Sequence, residues 1–333
     1  MSDVIRLDHG SGGRLANELV QNIVNIFTNT IINKMDDSAL LKLKGKIAYT
    51  TDSFVVDPIF FPGGDIGRLS IYGTVNDLAM IGAEPLYLTL SLIIEEGLPY
   101  SILNKVLLSI KRCIKDLNIK IVAGDTKVVE RGGVDKLFIN TAGIGIVKYK
   151  KEISSSNARR GDRIILSGYI GDHGIAVLGA REKFGFKASV KSDSAPLSGL
   201  VRDMLRSSYE IHVLRDPTRG GLATVLNEIA QRSKKGISIE EDKIPIRKEV
   251  RGVSEILGLD PLYIANEGKL VAFVKGSDAN RVLSIMRQHK YGKKSQIIGD
   301  VIDRYPGKVF LKTAFGGTRI IDRLVGEPLP RIC

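Results

Sequence analysis

A polar stretch near the middle of the chain divides the sequence into two parts of similar length. Residues 148–162, KYKKEISSSNARRGD, are charged and rich in serine, whereas apolar runs lie on both sides of them. Polar clusters between periodic segments are typical of connectors. Since 333 residues are also many for a single hydrophobic core, we predict one domain over residues 1–150 and a second over residues 151–322.

The first half alternates helical and strand patterns. In residues 14–27, RLANELVQNIVNIF, apolar side chains recur at helical spacing. A second helix is predicted over residues 64–83, where small residues would allow close packing. The other predicted elements are strands at 46–52, 85–94, 119–125 and 136–147 and a helix at 101–117. Because no regular strand–helix–strand rhythm runs through this half, we predict an α+β fold with a mixed sheet.

The second half is predicted to be another α+β unit that ends in a mobile tail. It begins with a strand at residues 163–168, RIILSG, followed by a glycine-bounded helix. The remaining predicted elements are helices near 196–208, 219–232 and 277–289 and strands near 269–275 and 296–302. Residues 323–333 form the tail, in which Pro328 and Pro330 would add stiffness and discourage pairing with a sheet.

Composition excludes several classes of protein. No run approaches the roughly 18 apolar residues of a membrane-spanning helix, and the amino terminus lacks the basic-then-apolar pattern of a signal peptide. Two cysteines argue against a disulfide framework and for a reducing compartment. We therefore expect a cytoplasmic protein that does not act at a membrane.

The formal net charge of +12 lies almost wholly in the second half. Residues 1–150 carry 17 Lys and Arg against 16 Asp and Glu, whereas the remaining residues have a net charge of +11. Basic stripes interleaved with aromatic residues, zinc-finger spacings and helix-turn-helix patterns are absent, so we expect no nucleic-acid binding. An acidic protein partner is the favoured explanation of the basic half.

Acidic residues in the first half lie among apolar ones. They occur in MDDSALL (Asp36 and Asp37), YTTDSFV (Asp52), TVNDLAM (Asp77) and VAGDTKV (Asp125). Buried carboxylates are normally paired or bound to a cation, and Mg²⁺ prefers such oxygens together with waters and phosphates. Each acid could instead cap a turn. Together they indicate metal–nucleotide chemistry.

Two glycine-rich loops are candidate phosphate sites. Residues 8–18, DHGSGGRLANE, run into a helix amino terminus, and residues 167–174, SGYIGDHG, occupy a strand-to-helix turn. His9 and His173 lie in these loops, and Lys127 follows Asp125 as a natural phosphate partner. Walker A and protein-kinase motifs are absent from the sequence, which excludes those two classes.

One of the two cysteines is the last residue of the chain. Cys333 ends the tail, and a terminal cysteine has no packing role that valine or alanine could not fill. It is either part of a frayed end or a thiol carried on a tether. Residues 322–333 would span roughly 35 Å when extended. Cys113, within the predicted helix at 101–117, is expected to be inert packing.

Several motifs in combination resemble the HypE family of hydrogenase maturation factors. They extend over nearly the whole chain: HGSGG, DDSA, TTDSFVVDPIFFPGGDIG, VNDLAMIGAEPLYL, AGDTKVV, DPTRGG, ANEGKL and the closing PRIC. The aspartate pattern is shared with aminoimidazole ribonucleotide synthetase, selenophosphate synthetase and thiamine-monophosphate kinase. The terminal PRIC is specific to the HypE branch.

The resemblance implies a two-domain aminoimidazole ribonucleotide synthetase (PurM)-like fold in a homodimer that binds ATP and Mg²⁺. It implies that a HypF-like carbamoyltransferase loads a carbamoyl group onto the terminal cysteine. ATP then activates the carbamoyl oxygen, and loss of phosphate leaves a thiocyanate. A HypC–HypD complex would receive the cyano group for a nickel–iron centre.

The resemblance also implies residue roles. The catalytic residues would be Cys333 as the carrier, Glu267 as the base, Lys127 on phosphate or the carbamoyl oxygen, and Asn76 as an orienting group. The implied metal ligands are Asp37, Asp52, Asp77 and Asp125. The implied nucleotide-binding residues are Gly10, Gly12, Gly13, Asp52, Asp77, Asp125, Thr126, Lys127, Gly171 and Asp172. Without the resemblance, Glu267 could equally be a capping acid or one paired with Lys269.

Two alternatives remain. A sister synthetase would phosphorylate a small free substrate, but selenophosphate synthetases carry a reactive Cys or selenocysteine in the first glycine-rich segment, where this chain has none. A non-enzymatic carrier would use Cys333 without consuming ATP, which the acids and Lys127 disfavour. In DPTRGG, Asp216 and Arg219 form either a turn with a role in phosphate binding or a turn that only defines the fold, and the second interpretation is favoured.

Overall fold

The first half forms a four-stranded sheet with helices on one face. The structure, a computed structural model, describes residues 4–181, 189–323, 326, 329, 331 and 332. The strands are β1 (Lys46–Phe54), β4 (Ala83–Glu95), β5 (Lys120–Val129) and β6 (Leu137–Val147), in the order β1-β6-β4-β5. β6 is antiparallel to both neighbours, and β4 and β5 are parallel. The sheet is mixed, as predicted.

Three helices belong to this half: α1 (Arg14–Phe27), α2 (Ile66–Met80) and α3 (Tyr100–Leu117). Helix α2 is buried on nearly all sides, and its small residues permit this packing. A Cβ at Gly73 would lie 2.8 Å from the Phe54 ring, and one at Gly67 would lie 2.8 Å from the Val106 carbonyl oxygen. A two-stranded ribbon, β2 (Phe60–Phe61) and β3 (Gly64–Asp65), precedes α2.

The second half is built on a seven-stranded sheet. Its strands are β7 (Asp162–Leu166), β8 (Ile211–Arg215), β9 (Gly236–Glu240), β10 (Val271–Lys275), β11 (Gln296–Ile302), β12 (Val309–Lys312) and β13 (Thr318–Ile321). Their order is β13-β12-β9-β11-β7-β10-β8. The helices are α4 (Asp172–Gly179), α5 (Ser198–Ser207), α6 (Gly221–Ser233), α7 (Lys248–Leu257) and α8 (Gly276–Gln288).

The two halves pack directly against each other. Ala79 and Met80, at the end of α2, belong to a buried cluster whose other members come mostly from the second half. The Asn76 amide donates to the carbonyls of Ala195 (3.1 Å) and Glu267 (3.3 Å), and its oxygen accepts from the Leu197 N–H (2.8 Å). The end of α2 therefore fixes the segment that carries Glu267.

The outer face of the four-stranded sheet carries exposed apolar side chains. Ile47 and Tyr49 of β1 and Ile93 of β4 are 52%, 67% and 40% exposed. Soluble monomers rarely leave such a patch on a sheet face, so this face is a candidate contact surface. None of the helices in the described part of the chain is long and apolar enough to cross a membrane.

Candidate active site

Four acidic side chains meet where the two halves adjoin. Asp52 lies in β1 and Asp77 in α2, Asp216 follows β8, and Glu267 lies just before β10. The Thr50 hydroxyl donates to Asp77 Oδ2 over 2.9 Å. The carboxyl groups are close enough to influence one another's ionisation. The first three are partly buried and Glu267 is buried.

Burial raises the pKa values of all four acids, and repulsion from neighbouring acids adds to this effect for Asp52, Asp216 and Glu267. Burial raises the pKa of Asp52 to about 6; Asp77 acts in the same direction, whereas the Ser53 N–H and Arg219 oppose it. The pKa of Asp216 reaches about 7 because of burial and then Asp77. The pKa of Asp77 is raised mainly by burial.

The pKa of Glu267 is strongly affected by its surroundings. Burial raises its pKa well above the ordinary value, followed by repulsion from Asp193, Asp216, Asp52 and Asp77. A carboxyl group in such surroundings keeps its proton to higher pH than an exposed glutamate, and positive charge entering the cleft would oppose this. A raised pKa makes the carboxylate, once formed, a stronger base than that of an exposed glutamate.

The chemistry of these groups suits a hard divalent cation. Carboxylate oxygens that repel one another gain stability when a cation lies between them. Among the described residues, however, no three His, Cys, Asp or Glu side chains converge closely enough to hold a metal ion by themselves. Mg²⁺ usually keeps several waters and binds substrate phosphates, so one or two carboxylates here fit such an ion.

Asp216 is the site residue that the sequence analysis missed. Its segment does form a turn, with the Thr218 N–H donating to the Asp216 carbonyl over 3.0 Å. The carboxyl group nevertheless belongs to the acidic cluster with Asp52 and Asp77. The available signal was an acid at the end of a buried apolar strand, the same context that singled out Asp52.

The backbone of Glu267 is held by a buried ion pair. Asp193 accepts the N–H groups of Glu267 (3.1 Å) and Gly268 (3.3 Å) and pairs with Lys269 over 3.0 Å. Lys269 therefore neutralises Asp193 and not Glu267, which leaves the Glu267 carboxyl group for other chemistry. Asn76 uses its amide on backbone groups of this segment. In this structure it positions Glu267.

A second group of predicted residues lies at the edge strand β5. Gly10 packs against Val128, where a Cβ would lie 2.8 Å from the Val128 nitrogen. Gly13 precedes α1 without a side-chain cap, so the first N–H groups of this helix are available to an anion. Lys127 Nζ lies 2.8 Å from Asp125 Oδ1, and this contact lowers the pKa of Asp125. Gly12 has a φ of +79° and open space around it.

A pocket of about 260 Å³ adjoins this second group. Apolar side chains of α1, β4 and β5 form most of its wall, while Asp37, Asp125 and Thr126 provide polar groups. Such a combination of an apolar wall with a few polar groups is typical of small-ligand pockets. The pocket brings Asp37, Asp125 and Thr126 into one region, beside the helix α1 that follows the first glycine-rich loop.

Asp52 and Asp125 lie on opposite faces of the sheet. Ser53, Asn140, Ser91 and Asp125 are directly opposite one another across the four strands, so their side chains share one face. Asp52 precedes Ser53 and therefore points to the other face, toward α2. The four predicted metal ligands thus form two pairs, Asp52 with Asp77 and Asp37 with Asp125.

The second glycine-rich loop supports the Glu267 segment. The Gly171 N–H donates to Asn266 Oδ1 over 2.8 Å, and Asp172 is buried and pairs with Arg247 over 2.9 Å. Burial raises the pKa of Asp172, and Arg247 opposes this. Of the histidines proposed for phosphate, His9 bonds the Arg6 backbone and His173 bonds Ser192 and Ile332.

Residues of the carboxy-terminal tail lie between the two halves beside this site. The Arg331 carbonyl accepts from the Asp57 N–H, and the Ile332 carbonyl contacts His173. Ile332 is 3% exposed and belongs to the core cluster of the first half. Cys333, the predicted carrier, lies outside the described residues. Cys113 is buried, and burial raises the pKa of its thiol.

Comparison with known families defines the class of protein. Residues 35–147 match the model of the AIR synthase related protein, N-terminal domain, and residues 159–312 match that of the C-terminal domain. The chain is therefore a two-domain protein of the AIR synthase related class, and the predicted fold is confirmed.

Individual relatives narrow the class to one family. The chain is 46% identical over 331 residues to carbamoyl dehydratase HypE of Azotobacter vinelandii, covering 99% of this chain and 97% of the relative. It is also similar to a crystal structure of hydrogenase maturation protein HypE in complex with ATP (TM-score 0.95, 46% identity, 98% and 99% coverage). A structure of a HypE–HypF complex matches with a TM-score of 0.81 and 48% identity over 94% of this chain and 100% of that chain. The chain belongs to the HypE family of carbamoyl dehydratases, which act in hydrogenase maturation.

Proposed function

We propose that this chain uses ATP to dehydrate a carbamoyl group carried on Cys333. The thiocarbamate, S–C(=O)–NH₂, becomes a thiocyanate, S–C≡N, and its oxygen leaves in inorganic phosphate as ATP becomes ADP. The product would supply the cyanide ligand of a nickel–iron hydrogenase. The observation that carries the proposal is the burial of Ile332, the residue before Cys333, in a cluster that includes Ala265, two residues before Glu267.

ATP would occupy the region of the first glycine-rich loop. The uncapped start of α1 offers N–H groups to phosphate, Lys127 offers a cation, and the neighbouring pocket offers an apolar wall. These groups fit a nucleoside triphosphate, and a related HypE structure contains ATP. Lys127 is paired with Asp125. On ATP binding, the Lys127 ammonium group would leave Asp125 and contact a phosphate instead.

One or two of the carboxylates of Asp52, Asp77 and Asp216 would bind Mg²⁺ together with waters and phosphate oxygens. Asp37 and Asp125 would be available beside the pocket next to α1. When bound, the ion neutralises charge that develops on the transferred phosphoryl group. The pKa values of Asp52, Asp77 and Asp216 are raised. Because only the ionised carboxylates bind a cation, cation binding would release protons from these residues.

Glu267 would accept the amide proton of the phosphorylated carbamoyl group. Its carboxyl group is buried among other acids, and positive charge entering the cleft would lower its pKa and leave the carboxylate free to act as a base. Asp193 and Asn76 hold the Glu267 backbone and thereby its orientation.

A homodimer would place Asp125 and Lys127 beside the subunit interface. The exposed apolar side chains Ile47, Tyr49 and Ile93 share the outer sheet face with Asp125 and Lys127. If a second copy covers this face, Asp125 and Lys127 lie next to the interface.

We also propose the domain limits 1–150 and 151–322 and a carrier tail at 323–333. The proposed partners are a HypF-like protein that loads the carbamoyl group and a HypC–HypD acceptor; a relative is known in complex with HypF.

The test is a mass measurement on the carboxy-terminal peptide. Carbamoylated protein incubated with MgATP should lose the mass of one water, whereas a non-hydrolysable ATP analogue should cause no loss. Cys333→Ala should prevent loading while nucleotide binding persists. An unchanged mass with MgATP would support the carrier alternative.

A further inference from the structure

Two side chains of the second half hold the tail by its backbone. Arg181 Nη2 donates to the Arg331 carbonyl over 2.8 Å, and its Nε donates to the Asp57 carbonyl over 2.9 Å. His173 Nε2 lies 2.9 Å from the Ile332 carbonyl oxygen. His173 lies in the first turn of α4 and Arg181 follows the end of this helix. One short helix thus positions both contacts.

The direction of the His173 hydrogen bond follows from its partners. A carbonyl oxygen can only accept, so Nε2 must carry the proton. Burial lowers the pKa of His173 and favours the neutral ring, in which Nδ1 accepts. Ser192 Oγ lies 2.8 Å from Nδ1 and already accepts from the Ser194 N–H over 3.1 Å, which leaves its hydroxyl proton for Nδ1. Ser192 therefore selects the tautomer that binds the tail.

The tail side chains add contacts to both halves. Arg331 pairs with Asp135, donates to the Val55 carbonyl over 3.1 Å and lies over the Phe138 ring. Ile332 is buried in a cluster that includes Val177 and Ala265 of the second half. The two residues preceding the cysteine are thus held by their backbone and by both side chains.

We refer to Ser192, His173 and Arg181 as the tail clamp. Its residue His173 lies close to the segment of the proposed base, Glu267. Asp193 accepts the Glu267 N–H and interacts electrostatically with His173. The Ile332 carbonyl belongs to the planar peptide group that leads into residue 333. Holding this carbonyl therefore limits the directions in which the carrier residue can leave the tail.

We infer that Ser192, His173 and Arg181 are positioning residues that hold Arg331 and Ile332 so that the loaded Cys333 is presented to the acidic cleft. The inference rests on the proposed function. None of the three is assigned to the chemical step; they act through the tail backbone.

Docking of the tail can be measured independently of the dehydration reaction, by the rate at which trypsin cleaves after Arg331. The docked bond is protected, because a protease needs several extended residues in its cleft. In His173→Asn the side chain is too short for its amide to reach the Ile332 carbonyl oxygen. Trypsin should therefore release the Ile-Cys dipeptide about tenfold faster than from the parent. His173→Gln, whose amide reaches as far as Nε2, should stay close to the parent. Equal cleavage rates for both variants and the parent would overturn the clamp.

The effect on chemistry is tested in single turnovers of the carbamoylated protein. His173→Asn should slow conversion to thiocyanate about 10- to 100-fold at saturating MgATP, with unchanged MgATP half-saturation, and His173→Gln should restore most of the rate. Arg181→Gln, which changes the other carbonyl contact, should behave like His173→Asn in both assays.

The outcomes separate the two claims. Faster cleavage with an unchanged conversion rate would overturn the positioning role. A parent protein that is protected from trypsin but never forms thiocyanate would overturn the proposed function and leave the clamp in place.

Discussion

At the residue scale, Glu267 carries the proton transfer in this account. Glu267→Gln keeps the shape and the backbone contacts but cannot accept a proton. We expect about a 10²- to 10⁴-fold slower conversion of carbamoylated protein to thiocyanate, as is typical for loss of a general base. Loading of Cys333 and ATP binding should be unchanged.

The matched control for this variant is Glu249→Gln in α7, which replaces an exposed acid. Rapid-quench kinetics with mass detection would measure both. A Glu267→Gln protein that converts at the parent rate would show that another group takes the proton.

The raised pKa values predict how the stability of the metal-free protein depends on pH. The folded pKa of Asp216 is about 7 and that of Asp52 about 6, above the ordinary value of 3.8. Between about pH 4 and 7 the folded state therefore binds more protons than the unfolded state, and these groups make the free energy of unfolding fall as pH rises.

Asp216→Asn isolates this effect from other titrating groups such as His173. In EDTA, urea denaturation should show the variant gaining stability relative to the parent from pH 5 to pH 8, on the order of 2 kcal/mol. A difference that is constant with pH would contradict the assignment.

The sequence singled out three of the four acids that adjoin one another in the structure, but it did not predict how the predicted metal ligands are arranged. Asp52, Asp77 and Glu267 do adjoin one another, as their apolar surroundings and the family motifs indicated. The separation of Asp125 from Asp52 depends on the strand order β1-β6-β4-β5. That order is set by pairings between residues far apart in the chain, which local patterns do not contain.

At the element scale, the close packing of α2 gives a direct test. A Cβ at Gly73 would lie 2.8 Å from the Phe54 ring, so Gly73→Ala forces two buried elements apart. We expect a loss of about 1–3 kcal/mol in the free energy of unfolding, measured by urea denaturation.

Gly252 in α7 provides the opposite case. An added Cβ there meets nothing within 4 Å, so Gly252→Ala should stabilise the protein by about 0.5–1 kcal/mol through helix propensity. If both substitutions change stability alike, α2 is not packed as described.

Helix periods and apolar runs predicted most elements of the first half, and the boundary errors have a physical origin. The strand predicted at 119–125 continues as β5 to Val129 because β4 pairs with it across the polar residues Asp125 to Lys127. Short strands such as β8, β9, β12 and β13 and the helix α7 were not predicted. Their burial depends on neighbours supplied by the rest of the sheet.

At the scale of the whole molecule, the outer sheet face predicts self-association. Tyr49→Lys would place a charge in the proposed interface, so sedimentation equilibrium should show a shift from dimer toward monomer. Tyr305→Lys, at an exposed tyrosine of the second half, should leave the dimer intact. A monomeric parent would refute the proposed homodimer.

The central claim is that ATP removes the carbamoyl oxygen while the group is attached to Cys333. The most direct measurement uses protein loaded with ¹⁸O-carbamoyl, then incubated with MgATP, with mass analysis of the phosphate released. The account predicts one ¹⁸O in inorganic phosphate for each thiocyanate formed. Thiocyanate formed with unlabelled phosphate would contradict it, since the oxygen would then have left without passing through phosphate.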